Sequence, residues 1–391
     1  MDENNKFALV ARPPGALEKV ESGAQRILSG MVADTLALSP KEKVASPAVR
    51  SRIGDYELCE PDYRQVVIWA DHLSLEPVQV IKHLFNGSSL FRTGRQLTLL
   101  PEFEGTAIEK GRFINLNWDW ELLPLKHFKW VQGLEIMRLR LVCSPDRSDA
   151  LTEFAPLLPR LTHLICNRFG LEQLDLSGTP NLAELDCSEN RINRLQFSVL
   201  PNLSKLKCYG NSLADLELTK LPALESLSCG RNDLTELDLP SAPRLWSLAC
   251  HSNQISKLNF SKCRRLRRLW CHENHLSDLS LRSLDELNLL DCSYNELERL
   301  DLSCLRKLTS LKCSDNRLAE LDLHGVPALR ELQCGGNQIA SLDLREVRGL
   351  TRRFCRDNRI ETLDISPVLS LKEVDYDDDK TQLIQRPDQH F

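Results

Sequence analysis

From Leu161 to Ser370, apolar positions recur with a fixed period of 21 residues, ten times in succession. In register, each copy reads LxxLxCxxNxLxxLxLxxxxx. The cysteine column is Cys166, Cys187, Cys208, Cys229, Cys250, Cys271, Cys292, Cys313, Cys334 and Cys355, with no insertion or deletion. Nine asparagines, Asn190 to Asn358 at the same spacing, follow three residues behind it; the first copy has Phe169 instead. A fixed period of this length with several apolar columns predicts a solenoid. The second Leu and the Cys stand two apart, so both face one side of a strand while the residues beside them face the other. The columns Leu171, Ile192, Leu213 and Leu174, Leu195, Leu216 also belong inside. One copy cannot bury so many apolar side chains, but stacked copies form a continuous core with a parallel sheet along one face. The Asn column falls where the chain leaves the strand, with an amide able to donate to and accept from the backbone of neighbouring coils. Pro180, Pro201, Pro222, Pro243 and Pro327 at the repeat junctions argue against long helices on the return side.

This pattern resembles the leucine-rich repeat in its short bacterial form, with Cys where the commoner consensus has a third strand Leu. The resemblance covers over half of the chain. It implies a curved solenoid with the parallel sheet on its concave face, short extended or 3-10 segments on the convex side, and a usual role in binding another macromolecule. It implies no reaction, because fold does not fix function.

The remainder divides by composition. Residues 1–50 read as an appendage in which Ile27, Leu28, Met31 and Leu38 share one face of an amphipathic helix, followed by a polar linker. That helix either docks a second partner or packs on this protein's own N-terminal domain. Residues 51–111 read as a small, mainly helical cap, with PDYRQVVIWADHL and EPVQVIKHLF as two short helices. The pair has a helix-turn-helix outline, but Ser74 replaces the usual turn Gly and Lys82 is the one strong base of the second helix, too few contacts for DNA. Residues 112–160 echo the repeat in degenerate form, with an insertion around Ser144 to Asp149. Residues 371–391 read as half a coil, with Tyr376 in the Cys position and Asp379 in the Asn position. Asp375, Asp377, Asp378 and Asp379 lack the alternating oxygens, Gly and closing Glu of a calcium loop, and are expected to cap the core with charge.

The 391 residues carry a formal charge of −5 and a pI near 6.0, which does not mark a general nucleic-acid or membrane binder. No apolar run is long enough to span a bilayer, and the N-terminus MDENNKFALV lacks the basic-then-apolar order of a signal peptide. Ten of the 14 cysteines belong to the periodic column, so a reducing cytoplasm fits better than a disulfide-stapled exterior. That column is expected to pack as small hydrophobes. Cys59 and Cys143 have no nucleophile signature, and no phosphate or dinucleotide motif is present. His251, His272 and Glu273 could hold zinc only with a further ligand. No cofactor, no metal and no enzymatic reaction are therefore expected.

What varies among the copies is the outward face. Its middle coils carry Lys205, Lys207, Tyr209, Arg231, Trp246, His251, Arg267, Arg268, Trp270, His272 and Tyr294, with Phe354 further along. Acidic residues flank them: Glu184, Asp186 and Glu189 before, Glu331, Glu373 and Asp375 after. Trp, Tyr and Arg are the residues most enriched at interface hot spots. The expectation is a protein partner with an acidic or mixed patch on the concave face, anchored by Trp246, Trp270 and Arg268. The alternative is a nucleic acid or other polyanion on the same basic and aromatic centre or on the helix-turn-helix-like segment. Arg353 stands where every other full copy has Leu, and marks either a distorted coil or the boundary of the binding surface. About twelve coils at standard strand spacing give a sheet about 60 Å long.

Overall fold

The computed structural model describes residues 50–86, 107–109, 112–119, 136–142, 153–154, 158–387 and 389. The amphipathic segment containing Ile27 and Leu38, and the insertion around Ser144, lie outside the described residues.

Each repeat contributes one strand to the main sheet, because a Leu flanked by small or polar residues buries one side and leaves the other wet. In Ser247–Ala249 the central Leu248 is fully buried while Ser247 and Ala249 are half-buried. Fourteen strands join in one sheet. It begins with Ala107–Glu109 antiparallel to Arg112–Asp119 and is parallel from there to Glu373–Asp375. The register is the repeat itself: Leu206 pairs with Leu227, Leu227 with Leu248 and Leu248 with Leu269. All ten ladder cysteines are buried, in line behind the strand leucines.

The return side matches its Pro-rich sequence. Early coils return through three short parallel strands, Glu153–Phe154, Gln173–Asp175 and Arg194–Gln196, and the next two through 3-10 turns, Leu218–Lys220 and Leu239–Ser241. Leu174 and Leu216 are buried and Leu195 is half-buried against the same core.

The asparagines form a second ladder. Asn232 donates to the carbonyls of Cys208 and Cys229, each at 3.0 Å, and accepts the Leu213 N–H at 3.0 Å. The same three bonds recur from Asn190 to Asn358. Phe169, at the head of the column, is fully buried, and its N–H is taken by Asn190.

At the N-terminal end, where the sequence predicts mainly helix, the cap also contains a hairpin. Arg50–Ile53 pairs antiparallel with Tyr56–Cys59 around Gly54, whose φ is +57°. Helices α1 (Glu60–Leu73) and α2 (Pro77–Asn86) follow, joined through Ser74, which takes the left-handed conformation in place of glycine. Helix α2 buries Val80, Ile81 and Leu84 and packs against Arg112–Asp119, so it closes the solenoid end rather than presenting a recognition helix.

The C-terminal end is more than the expected half coil. Glu373–Asp375 closes the main sheet and Gln382–Ile384 pairs with Thr362–Asp364 on the return side. The turn is shortened, so Asp377, not Asp379, receives the N–H groups of Asp357 and Asn358. Tyr376 packs on the core in the Cys phase as expected. The coil of Arg353 keeps normal register, Arg353 opposite Leu332 and Val374; the course of its side chain lies outside what is described.

Candidate functional site on the sheet face

Strand alternation places the outward residues, and the 21-residue register decides which of them meet. Residues that the sequence lists as separate charges are paired across adjacent strands. Lys205 Nζ lies 2.7 Å from Glu184 and Lys207 Nζ 4.0 Å from Asp186. At the far end Arg352 lies 3.6 Å from Glu331, and Arg356 pairs with Asp375. The two lysines are therefore held by the flanking acids and are not free basic anchors.

In the centre the pairing is aromatic. The Arg268 guanidinium sits 5.6 Å from the centre of the Trp246 ring, and Arg231 sits 5.6 Å from that of Tyr209. Trp246 and Arg267 stand at the strand entrance, where the Trp246 carbonyl accepts the N–H groups of Arg267 and Arg268. Trp270 is half-buried between Ala249 and Asp291 in the sheet register. Tyr294 projects, 57% exposed, and the neighbouring Asp315 raises its hydroxyl pKa through charge and hydrogen bonding. Phe354 is half-buried four strands beyond Trp270, apart from this group.

His251 and His272 stack with centroids 4.4 Å apart and planes 5° apart. His251 leans over Gly230, where an added Cβ would come within 2.8 Å of its Nε2, and so reaches the Tyr209 ring at 5.7 Å. His272 Nδ1 lies 3.6 Å from Asp291 Oδ2, is shielded from solvent and has no hydrogen-bond partner. Burial first, then the neighbouring His272 charge, holds His251 below the usual imidazole pKa, against the opposing pull of Glu273 and Asp291. Ring lone pairs lie in the ring plane, so two parallel stacked imidazoles cannot both point at one tetrahedral ion. Among the described residues, no group of three or more His, Cys, Asp or Glu is placed to hold a metal.

The ladder thiols are chemically quiet. The described cysteines are free, and burial pushes the Cys208 and Cys250 thiols up to about 12. Cys187 Sγ sits 3.5 Å from the Lys207 carbonyl of the next strand, in place to donate a weak hydrogen bond.

A column of left-handed residues that glycine marks at just two positions borders this face. Arg168, Glu189, Arg231, Ser252, Glu273, Tyr294, Asp315 and Asp357 all have positive φ, with Gly210 and Gly336 completing the column. Each precedes the residue in the Asn position. The bonds of that residue hold the turn, so non-glycine side chains, Arg231 and Tyr294 among them, project from a left-handed backbone.

Together these observations define a leucine-rich-repeat solenoid with a buried cysteine ladder, a scaffold of the protein-recognition type whose open surface is its sheet face. Among solved structures, the chain is similar to the functional domain of InlJ from Listeria monocytogenes, described as including a cysteine ladder. The identity is 28%, the TM-score 0.59, and the match covers 69% of this chain and 64% of that one. This chain thus spans a little under two thirds of that structure's length. An internalin, InlF, from the same organism shares the fold at 22% identity and a TM-score of 0.53, over 68% of this chain and 87% of the other. No family model and no curated protein matches the sequence.

Proposed function

We propose that this chain is a non-catalytic, cytoplasmic recognition subunit, an adaptor or sensor that binds a protein partner through its sheet face. The observation that carries the reading is the exposed aromatic and arginine centre, in which Arg268 lies over Trp246 beside the strand that bears Trp270. A Trp that stays 36% exposed at the entrance of a central strand leaves part of its ring open to a partner. Trp and Arg are the side chains that dominate binding energy when a partner desolvates them. The cysteine ladder, which needs no disulfide, suits the reducing cytoplasm.

The polyanion reading is weaker for a specific reason. Lys205 and Lys207 are paired with Glu184 and Asp186, and acidic residues close both ends of the basic stretch. Extended phosphate binding relies on several unpaired cations in a row.

The test is affinity capture from native lysate under nuclease treatment, comparing the wild type with a Trp270→Ala/Arg268→Glu double variant. A protein retained after nuclease by the wild type and lost by the variant is the expected result. Capture abolished by nuclease would move the polyanion reading ahead, and undiminished capture by the variant would refute the sheet face as the binding surface.

A further inference from the structure

The sheet-face charges are largely self-paired, one repeat apart, as at Glu184–Lys205, Asp186–Lys207, Glu331–Arg352 and Arg356–Asp375. Arg231 and Arg268 differ: among the described residues neither has an ion-pair partner, and each rests on an aromatic ring, Tyr209 or Trp246. An exposed guanidinium held within cation–π range of a ring and without an ion pair is positioned and still available to a carboxylate. Between the two lies a floor of small side chains, Ser226 and Ser228 on one strand and Ser247 and Ala249 on the next. Taller residues wall it on both sides: Lys205 and Lys207 on the preceding strand, Arg268 and Trp270 on the following one. The two wall strands are three strand spacings apart, about 14 Å. At the far end His251 tilts over Gly230 onto Tyr209, the ring that also carries Arg231.

Resting on the protein-recognition reading above, we propose that this basin seats an acidic, extended segment of the partner protein, one carboxylate on Arg231 and another on Arg268, with a bulky side chain between them on the serine and alanine floor. The two arginines are two strand spacings apart across the sheet and five positions out of register along it, which sets them about 15–20 Å apart. In an extended segment that is about five or six residues. The charge complement argues for the acidic segment: the basin offers two cations without an ion pair, the nearby Glu184 and Asp186 are engaged by lysines, and Glu189, which Arg231 feels through space, is bound by Arg168.

The experiment uses the full chain and a fluorescein-labelled poly(Glu,Tyr) copolymer, followed by anisotropy, with oligothymidylate and polylysine as comparison probes. The expected result is saturable binding of the copolymer, weakened about tenfold by Arg231→Ala and by Arg268→Ala, a larger loss than most interface residues give. Ser228→Trp, which fills the basin and leaves charge unchanged, is expected to abolish binding; the same column already carries Trp270 and Phe354 in other coils, so the fold accepts it. Ser314→Trp, outside the basin, is expected to leave binding intact. Absence of copolymer binding, or binding indifferent to both arginines and to Ser228→Trp, overturns the proposal. Tighter binding of oligothymidylate than of the copolymer overturns it in favour of a polyanion. If the copolymer fails while the lysate partner is still lost on Trp270→Ala/Arg268→Glu, the acidic-segment inference falls alone and protein recognition stands.

Discussion

Asn274→Ala removes one rung from the middle of the asparagine ladder. The Asn274 side chain donates to the carbonyls of Cys250 and Cys271, each at 3.1 Å, and accepts the N–H of Ile255 at 3.0 Å. The residue is only 6% exposed, so water cannot simply replace the lost amide. At about 1 kcal/mol net for each bond, the loss is about 3 kcal/mol, and more where a buried group is left unsatisfied. That is a large share of the roughly 5–15 kcal/mol typical of a folded domain. Because each coil contacts only its neighbours, the damage is local, and the solenoid is expected to unfold in two stages divided at the weakened interface. Urea unfolding followed by tryptophan fluorescence, for which Trp270 lies beside the mutated rung, and by circular dichroism reports both effects. Asn358→Ala is the internal control: it breaks equivalent bonds at a half-exposed site near the end of the ladder, and is expected to cost about 1 kcal/mol because water can enter. An Asn274→Ala loss below about 1 kcal/mol would refute the ladder as a stabilising device.

Three further outcomes are expected. In native protein at mildly alkaline pH, Ellman's reagent should label the half-buried Cys59 and Cys304 well before any ladder thiol, because burial holds Cys208 and Cys250 near 12; ready native labelling of the ladder would contradict this. Gly325→Ala should destabilise by about 1–3 kcal/mol, since its Cβ would come within 2.4 Å of the Leu302 carbonyl oxygen, whereas Gly230→Ala meets a movable imidazole and should cost less; equal urea midpoints would refute the steric argument. His251 has a lowered pKa when folded, so the unfolded chain binds the proton more readily, and its contribution to stability is intact above about pH 6.5 and is lost as pH falls through the lowered folded value. His251→Phe keeps an aromatic ring over Gly230 and should show a smaller loss of stability on acidification; identical pH profiles would count against the His251 assignment.

The interior of this fold was legible because each buried column is constrained by copies of itself. A Leu at the position of Leu248 must pack on Leu227 and Leu269, so ten cycles of sequence report one environment ten times. The asparagine bonds followed from the same logic, since one side chain had to serve two coils. The left-handed column escaped notice because glycine, its usual marker, occupies just Gly210 and Gly336; elsewhere the asparagine bonds hold the turn and Arg, Glu, Ser, Tyr and Asp are admitted. The Arg50–Cys59 hairpin did leave a trace, Gly54-Asp55 between two short β-prone runs, but it lies outside the repeat and was overshadowed by the helices after it.

The outward residues are constrained differently, and this bears on where recognition resides. Register arithmetic alone puts Glu184 opposite Lys205 and Asp186 opposite Lys207, so the pairing that removes two basic anchors could have been read from the 21-residue spacing. The lean of His251 over Gly230 could not, because it depends on a missing side chain one strand away. The same distinction separates structural from recognitional charge on this surface. A charge whose partner stands one repeat distant is partly neutralised within the solenoid, and using it for binding means exchanging a surface pair worth about 1 kcal/mol or less. A charge near an aromatic ring with no ion pair, as at the exposed Arg231 and Arg268, is positioned and still available. By that criterion the proposed recognition surface contracts from the whole row of outward residues to the basin between Arg231 and Arg268, each beside its aromatic ring.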